Sequence, residues 1–226
     1  MVKSFRTALT KGYSVNKDVE NIRLHLSRMK IAKRMMRKHF AMGYAECVLL
    51  WILHEAKKPI TGRQIQKQWL GGQLASTLTT LEKKGLIVRV LGDNAQKAKI
   101  NSLSEKGAAL SDEWFRNGDP KKTPTLKFLI SILKESREKL SELDRRCRDT
   151  YSKGGAHSCN VAAALGEKSP LTLSQIATIT SIDYALIFAL TGNPYVQCIN
   201  LQAAEAQRLY ELTASGREVL DKLSRT

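Results

Sequence analysis

Long hydrophobic runs are missing from this chain of 226 residues: no uninterrupted apolar stretch, Cys47 to Leu53 among them, exceeds seven residues. A membrane-spanning helix needs about 20, so none is expected. The first sixteen residues hold no continuous apolar core, which argues against a secretory signal. They are basic and acid-free, as a transit peptide would be, but the better-supported expectation is a soluble, cytoplasmic protein. Cysteine is scarce. Cys47, Cys147, Cys159 and Cys198 are widely spaced, with no C-x-x-C unit. That spacing speaks against a structural zinc site and against a disulfide-stapled secreted domain. Catalytic signatures are missing as well: there is no Gly-rich phosphate loop, no H-E-x-x-H and no G-x-S-x-G. His25, His39, His54 and His157 are scattered, and His157-Ser158-Cys159 is the only local pair with ligand chemistry. No catalytic residue, metal or cofactor is therefore expected, and an enzyme is not.

Acidic residues are also few. Against 37 Lys and Arg stand 21 Asp and Glu, a net charge of +16 with a pI near 9.8. Such a balance is the footprint of a polyanion binder. The distribution is uneven: +9 over residues 1–40, +4 over 41–116, +4 over 117–153 and −1 over 154–226. The C-terminal third therefore has no claim on nucleic acid by charge.

What is present is an internal likeness. Pro59-Ile60-Thr61-Gly62-Arg63-Gln64-Ile65 answers Pro170-Leu171-Thr172-Leu173-Ser174-Gln175-Ile176 at an offset of 111. Leu103-Ser104-x-x-Gly107 answers Leu212-Thr213-x-x-Gly216 at 109. The first unit reads as a buried helix over Tyr44 to Ala56, then a short helix capped by Thr61 and running to about Leu70. Gly71-Gly72 breaks the chain. A helix from Gln73 to Lys84 follows, with Leu74, Leu78 and Leu81 on one face and Gly85 at its end. Leu86 to Val90 and about Lys97 to Leu103 read as two strands around a Gly92-Asp93-Asn94 turn, and Ser104 caps a closing helix. Helix, short helix, helix and a β-hairpin make a winged helix-turn-helix. The fold class expected is mainly α with small β-hairpin wings, as tandem winged helix-turn-helix domains joined by a long helix.

The run Leu78-x-x-Leu81-Glu82-x-x-Gly85-Leu86-Ile87-x-Arg89, with Leu103-Ser104-x-x-Gly107, resembles the winged-helix core of the MarR-like transcription regulators. The resemblance covers residues 44–115, and residues 157–224 only through the internal likeness. It implies a DNA-binding regulator. Those wings usually carry Asp-x-Arg, where this chain has Asp93-Asn94-Ala95. Lys97 and Lys99 would then supply the wing's cations.

In a helix-turn-helix the second helix of the pair enters the major groove. With the leucines inward, Gln73, Ser76, Thr77, Thr80 and Lys83 face outward, offering short hydrogen-bonding groups to base edges and phosphates. Gly72 ahead of the helix would let backbone N–H groups come close to a phosphate. Arg63, Lys67, Lys97 and Lys99 are candidate phosphate contacts, and Arg89 and Asn94 of the wing complete the set. The corresponding helix of the second unit, Ser181 to Leu190, has no basic residue and one acidic. Its wing, Val196 to Leu209, contributes only Arg208. Protein contact is expected of it instead: dimerisation, packing on the first unit, or a partner.

Residues 117–153 begin as a linker and continue as a long helix to about Tyr151. Leu126, Leu129, Leu133, Ser136, Leu140, Leu143 and Cys147 recur at spacings of three and four, a three-heptad seam that could pair two copies, with Leu126, Leu129, Leu133, Leu140 and Leu143 as its apolar contacts. The alternative is an amphipathic helix packed on its own domains. In residues 1–43, Val19, Ile22, Leu26, Met29 and Met36 outline an amphipathic helix, with Arg34, Arg37 and Lys38 among its cations for DNA rather than for a membrane surface. Cys147, flanked by Arg145, Arg146 and Arg148, could have a lowered thiol pKa and sense oxidants.

The expectation is a dimeric, sequence-specific regulator on double-stranded DNA, cytoplasmic and nucleoid-associated, with residues 1–116 for DNA and 117–226 for assembly. The alternative is a plasmid or phage replication initiator or partition adaptor that binds repeated sites. A third reading is a protein scaffold whose charge is incidental.

Overall fold

The computed structural model describes residues 16–92, 98–116, 124–183, 186–187 and 194–225. They form two compact units. One is Arg28–Ser136; the other combines Met1–Ser27 with Arg137–Thr226. The boundaries fall inside helices. α1 (Lys17–Phe40) passes from one unit to the other at Ser27, and α6 (Leu126–Thr150) does so at Ser136.

The Arg28–Ser136 unit continues with α2 (Tyr44–Ala56), β1 (Ile60–Thr61), α3 (Gly62–Gln66), α4 (Leu74–Lys83), β2 (Ile87–Leu91), β3 (Lys99–Leu103) and α5 (Glu105–Arg116). Its sheet has the order β1-β3-β2, antiparallel throughout, with Ile60 opposite Asn101 and Arg89 opposite Asn101 on the other side. The dense apolar run of α2 is the core: Cys47, Val48, Leu49 and Leu50 are fully buried. Ile65, Leu81, Ala32 and Met36 close over it, with Leu126, Leu129, Ile130 and Leu133 from α6. This is a winged helix-turn-helix.

The other unit carries α7 (Gly155–Glu167), β4 (Leu171–Thr172), α8 (Leu173–Thr180), β5 (Val196–Cys198), β6 (Leu209–Leu212) and α9 (Ala214–Ser224). Its sheet, β4-β6-β5, has the same order of connection. Val19 and Ile22 of α1 and Leu143 and Cys147 of α6 join its core with Cys159, Leu165, Leu171 and Ile176. Two ion pairs hold α1 there, Arg146 to Asp18 at 2.8 Å and Arg23 to Glu167 at 2.8 Å.

The matched sequence motifs correspond to matched hydrogen bonds. Thr61 caps α3: its Oγ1 accepts from the Gln64 N–H at 3.3 Å, and Gln64 Oε1 accepts from the Thr61 N–H at 2.8 Å. Thr172 and Gln175 repeat both bonds at the same lengths on α8. A capping box needs Thr and Gln three apart, which is what the P-x-T-x-x-Q-I pattern supplies. The second motif works likewise. Ser104 Oγ accepts from the Gly107 N–H and donates to the Gly85 carbonyl; Thr213 Oγ1 accepts from the Gly216 N–H and donates to the Pro194 carbonyl. Both glycines are required by space: an added Cβ would lie 1.9 Å from the Leu86 carbonyl oxygen at Gly107, and 2.2 Å from that of Tyr195 at Gly216.

The α6 seam is used from within the chain. Leu126, Leu129 and Leu133 are at most 2% exposed in one core, Leu143 is 5% exposed in the other, and Leu140 is half-buried against it. Ser136, too, is fully buried. The coiled-coil expectation for these five leucines is corrected accordingly: the periodicity is that of an amphipathic packing helix, and no apolar stripe remains on those positions for a second copy.

Candidate nucleic-acid interface

α4 is held by leucines. Leu78 and Leu81 are buried against α2, and Leu74 is half-buried beside them. Gln73 is the N-cap residue, and its carbonyl oxygen accepts from the Thr77 N–H at 3.3 Å. In front of it, the Trp69 indole N–H donates to the Gly72 carbonyl at 2.9 Å. A Cβ on Gly71 would meet the Trp69 ring at 2.3 Å, whereas nothing lies within 4 Å of one on Gly72. The first glycine is thus set by packing on the tryptophan, and only Gly72 is open to solvent.

The exposed face of α4 presents Gln73, Ser76, Thr80 and Lys83 as expected. Thr77 is corrected: it is 8% exposed, and its hydroxyl donates to the Gln73 carbonyl at 3.1 Å. At 100° per residue Thr77 lies four positions before Leu81 and three after Leu74, on the core side. The same count places Thr79, which sequence reasoning missed, on the exposed face. Ser76, Thr79 and Thr80 donate their hydroxyl protons to the carbonyls of Gln73, Ala75 and Ser76 at 2.9, 3.0 and 2.9 Å. With the proton so occupied, each oxygen offers lone pairs outward. That suits the exocyclic amino donors of adenine and cytosine in the major groove.

Cations surround this face. Arg63, Lys67, Lys83 and Lys99 are exposed and form no ion pair with another described residue. Arg89 differs: it is half-buried, with Nη1 on Glu82 at 3.1 Å. Its charge is neutralised locally, which weakens its case as a phosphate contact. Lys84 is spent on Glu46. Asn94 and Lys97 lie outside the described residues. Arg34, Arg37 and Lys38 are exposed on α1 of the same unit, and no described hydrogen bond or ion pair ties them to α4. Arg28, by contrast, pairs with Glu135 through two bonds of 3.0 and 3.2 Å.

The corresponding surface of the other unit is different in kind. Ile182 and Ile187 are buried, Asp183 and Leu186 are exposed, and residues 184–185 and 188–193 lie outside the described set. Arg208 is half-buried and donates to the Ala203 carbonyl. Ile199 and Leu201, by contrast, are exposed next to the hairpin.

The cysteines and histidines do not form a site. Burial, with Glu46 adding to it, pushes the Cys47 thiol up to about 12, so it is inert at neutral pH. Cys147 and Cys159 hydrogen-bond to one another inside a core; that bond lowers the Cys147 thiol against the effect of burial and raises Cys159. The cause foreseen for Cys147, its arginine neighbours, is minor beside its partner thiol, and the sulfur has no exposed surface. His54 Nε2 meets Asp112 Oδ1 at 3.0 Å and stacks on Phe115. Among the described residues no three His, Cys, Asp or Glu side chains cluster as metal ligands, and no helix is long and apolar enough to cross a membrane.

No protein-family model matches the chain, and no curated protein does. Among solved structures it is similar to a transcriptional regulator of the MarR family from Silicibacter pomeroyi, at 17% identity and a TM-score of 0.35, over 57% of this chain and 86% of that one. An overlay of that extent carries no argument; the winged-helix assignment stands on element order, sheet topology and packing.

Proposed function

We propose that the chain binds double-stranded DNA through the winged helix of residues 44–116 and acts as a sequence-specific transcription regulator. The observation that carries this reading is the outer face of α4: Gln73, Ser76, Thr79, Thr80 and Lys83, flanked by Arg63, Lys67 and Lys99 without described carboxylate partners. Hydroxyls and an amide at base-edge positions read sequence, and the surrounding cations hold the phosphates. The unit formed around α7–α9, whose residues 154–226 carry a net charge of −1, serves assembly or a protein partner.

A second reading has its own support. Two winged helices lie in one chain, and the leucine seam foreseen for dimerisation is buried. A chain that uses its own second unit instead of a two-fold partner would favour directly repeated sites, as replication initiators and partition adaptors bind. Selection of bound fragments from a random-duplex library at about 150 mM salt separates the two. One enriched inverted repeat is the result expected of a dimeric regulator, and clustered direct repeats would move the assignment to the second reading. Retention without any enrichment would overturn sequence-specific binding altogether.

A further inference from the structure

Asn101 lies in the middle of β3 and is 1% exposed. Its Nδ2 donates to the Ile60 carbonyl at 3.1 Å, fastening β3 to β1, but its Oδ1 has no donor among the described residues. Directly across the ladder stands Arg89, whose Nη1 is on Glu82 and whose buried Nε–H has no acceptor among the described residues. An unsatisfied acceptor and an unsatisfied charged donor at cross-strand positions, not paired with each other, are costly in a folded interior, and such groups call for a third partner. Both side chains line one cleft of about 290 Å³, together with Leu78 and, at its rim, Arg63 and Lys99. That volume sits near the lower end for small-molecule sites. With Arg89 balanced by Glu82, the cleft's surplus charge comes from Arg63 and Lys99, two positive groups.

We propose that this cleft binds a small hydroxylated dianion of the malate type. One carboxylate accepts from Arg89 Nε–H, the hydroxyl donates its proton to Asn101 Oδ1, and the second carboxylate meets Arg63 and Lys99. A phosphodiester of DNA does not complete the site, because it has no proton to give Asn101 and carries one charge. The ligand would withdraw Arg63 and Lys99 from phosphate contact, so it would compete with DNA; this last step rests on the DNA-binding reading, whereas the binding itself does not.

The test is a calorimetric titration of the full chain, without DNA, using malate and then succinate, which lacks the hydroxyl, at matched ionic strength. Malate should bind one site at least about tenfold more tightly than succinate, because a buried acceptor is left unpaired by the analogue. The exposed rim variant Arg63→Ala/Lys99→Ala, which leaves the fold's hydrogen bonds in place, should weaken malate by about tenfold or more. Equal affinities for the two acids, or no saturable binding of malate, citrate or 3-phosphoglycerate, would overturn the site. A parallel displacement titration on bound DNA separates the two claims. DNA bound without any malate site sinks the ligand and spares the function; a malate site whose filling leaves DNA in place sinks the competition.

Discussion

Single residues divide sharply here between those the fold needs and those it leaves free. Gly107 is needed, because any Cβ would enter the Leu86 carbonyl. Gly107→Ala should lower the urea midpoint by the equivalent of about 1–3 kcal/mol. Gly62→Ala, where an added Cβ meets nothing within 4 Å, should leave it unmoved. His157 gives a pH signature. Burial lowers its imidazole below the ordinary 6.5, with Asp144 opposing in part, and its Nδ1 has no partner among the described residues. Above 6.5 both the folded and unfolded imidazoles are neutral and the group contributes nothing. As the pH falls below that value the unfolded chain takes up the proton first, so stability declines until the folded group also titrates. Denaturation series at about pH 7.5 and 5.5 should show this loss, and His157→Gln should remove its share of it. At the proposed interface, Lys67→Ala should weaken all duplexes alike and flatten the salt slope by about one unit, while Ser76→Ala should relax preference at a particular base pair.

At the level of elements, what the sequence made legible was what local chemistry dictates. The two Thr-x-x-Gln boxes and the two Ser/Thr-x-x-Gly turns are short-range devices, and each shows in the residues that build it. The leucine face of α4 was readable for the same reason; Thr77 was not, since a hydroxyl residue on the core side of a helix looks polar until its wheel position is counted. Asn101 and Arg89 escaped notice because their significance is an unpaired atom across a strand ladder, a tertiary fact. α6 shows the opposite failure. A 3-4 repeat describes any helix with one buried face, and only the cores that fill it reveal whether the cover comes from the same chain. Leu133→Ala should therefore cost about 2–5 kcal/mol of unfolding free energy. That loss should be the same at high and low protein concentration, whereas an interhelical seam between two copies would make it change with concentration.

Charge and architecture partition together across the whole molecule. Residues 28–136 carry +12 of the +16 and the other unit carries +4, with Arg208 of the latter turned onto a backbone carbonyl. Arg208→Ala should accordingly leave both DNA affinity and its salt dependence unchanged in fluorescence anisotropy; an effect as large as that of Lys67→Ala would undo this division of labour. The partition of the chain itself has a further consequence. Residues 28–136 are one continuous stretch, whereas the other unit joins Asp18 to Arg146 across 128 residues and Asn16 to the Leu223 carbonyl across 207. During synthesis on the ribosome, at roughly 5–20 residues per second, the start of α1 must wait on the order of ten seconds or more for its partners. The continuous unit can close first. The early-made segment, with Val19 and Ile22 still uncovered, is then the part of the nascent protein most in need of a chaperone.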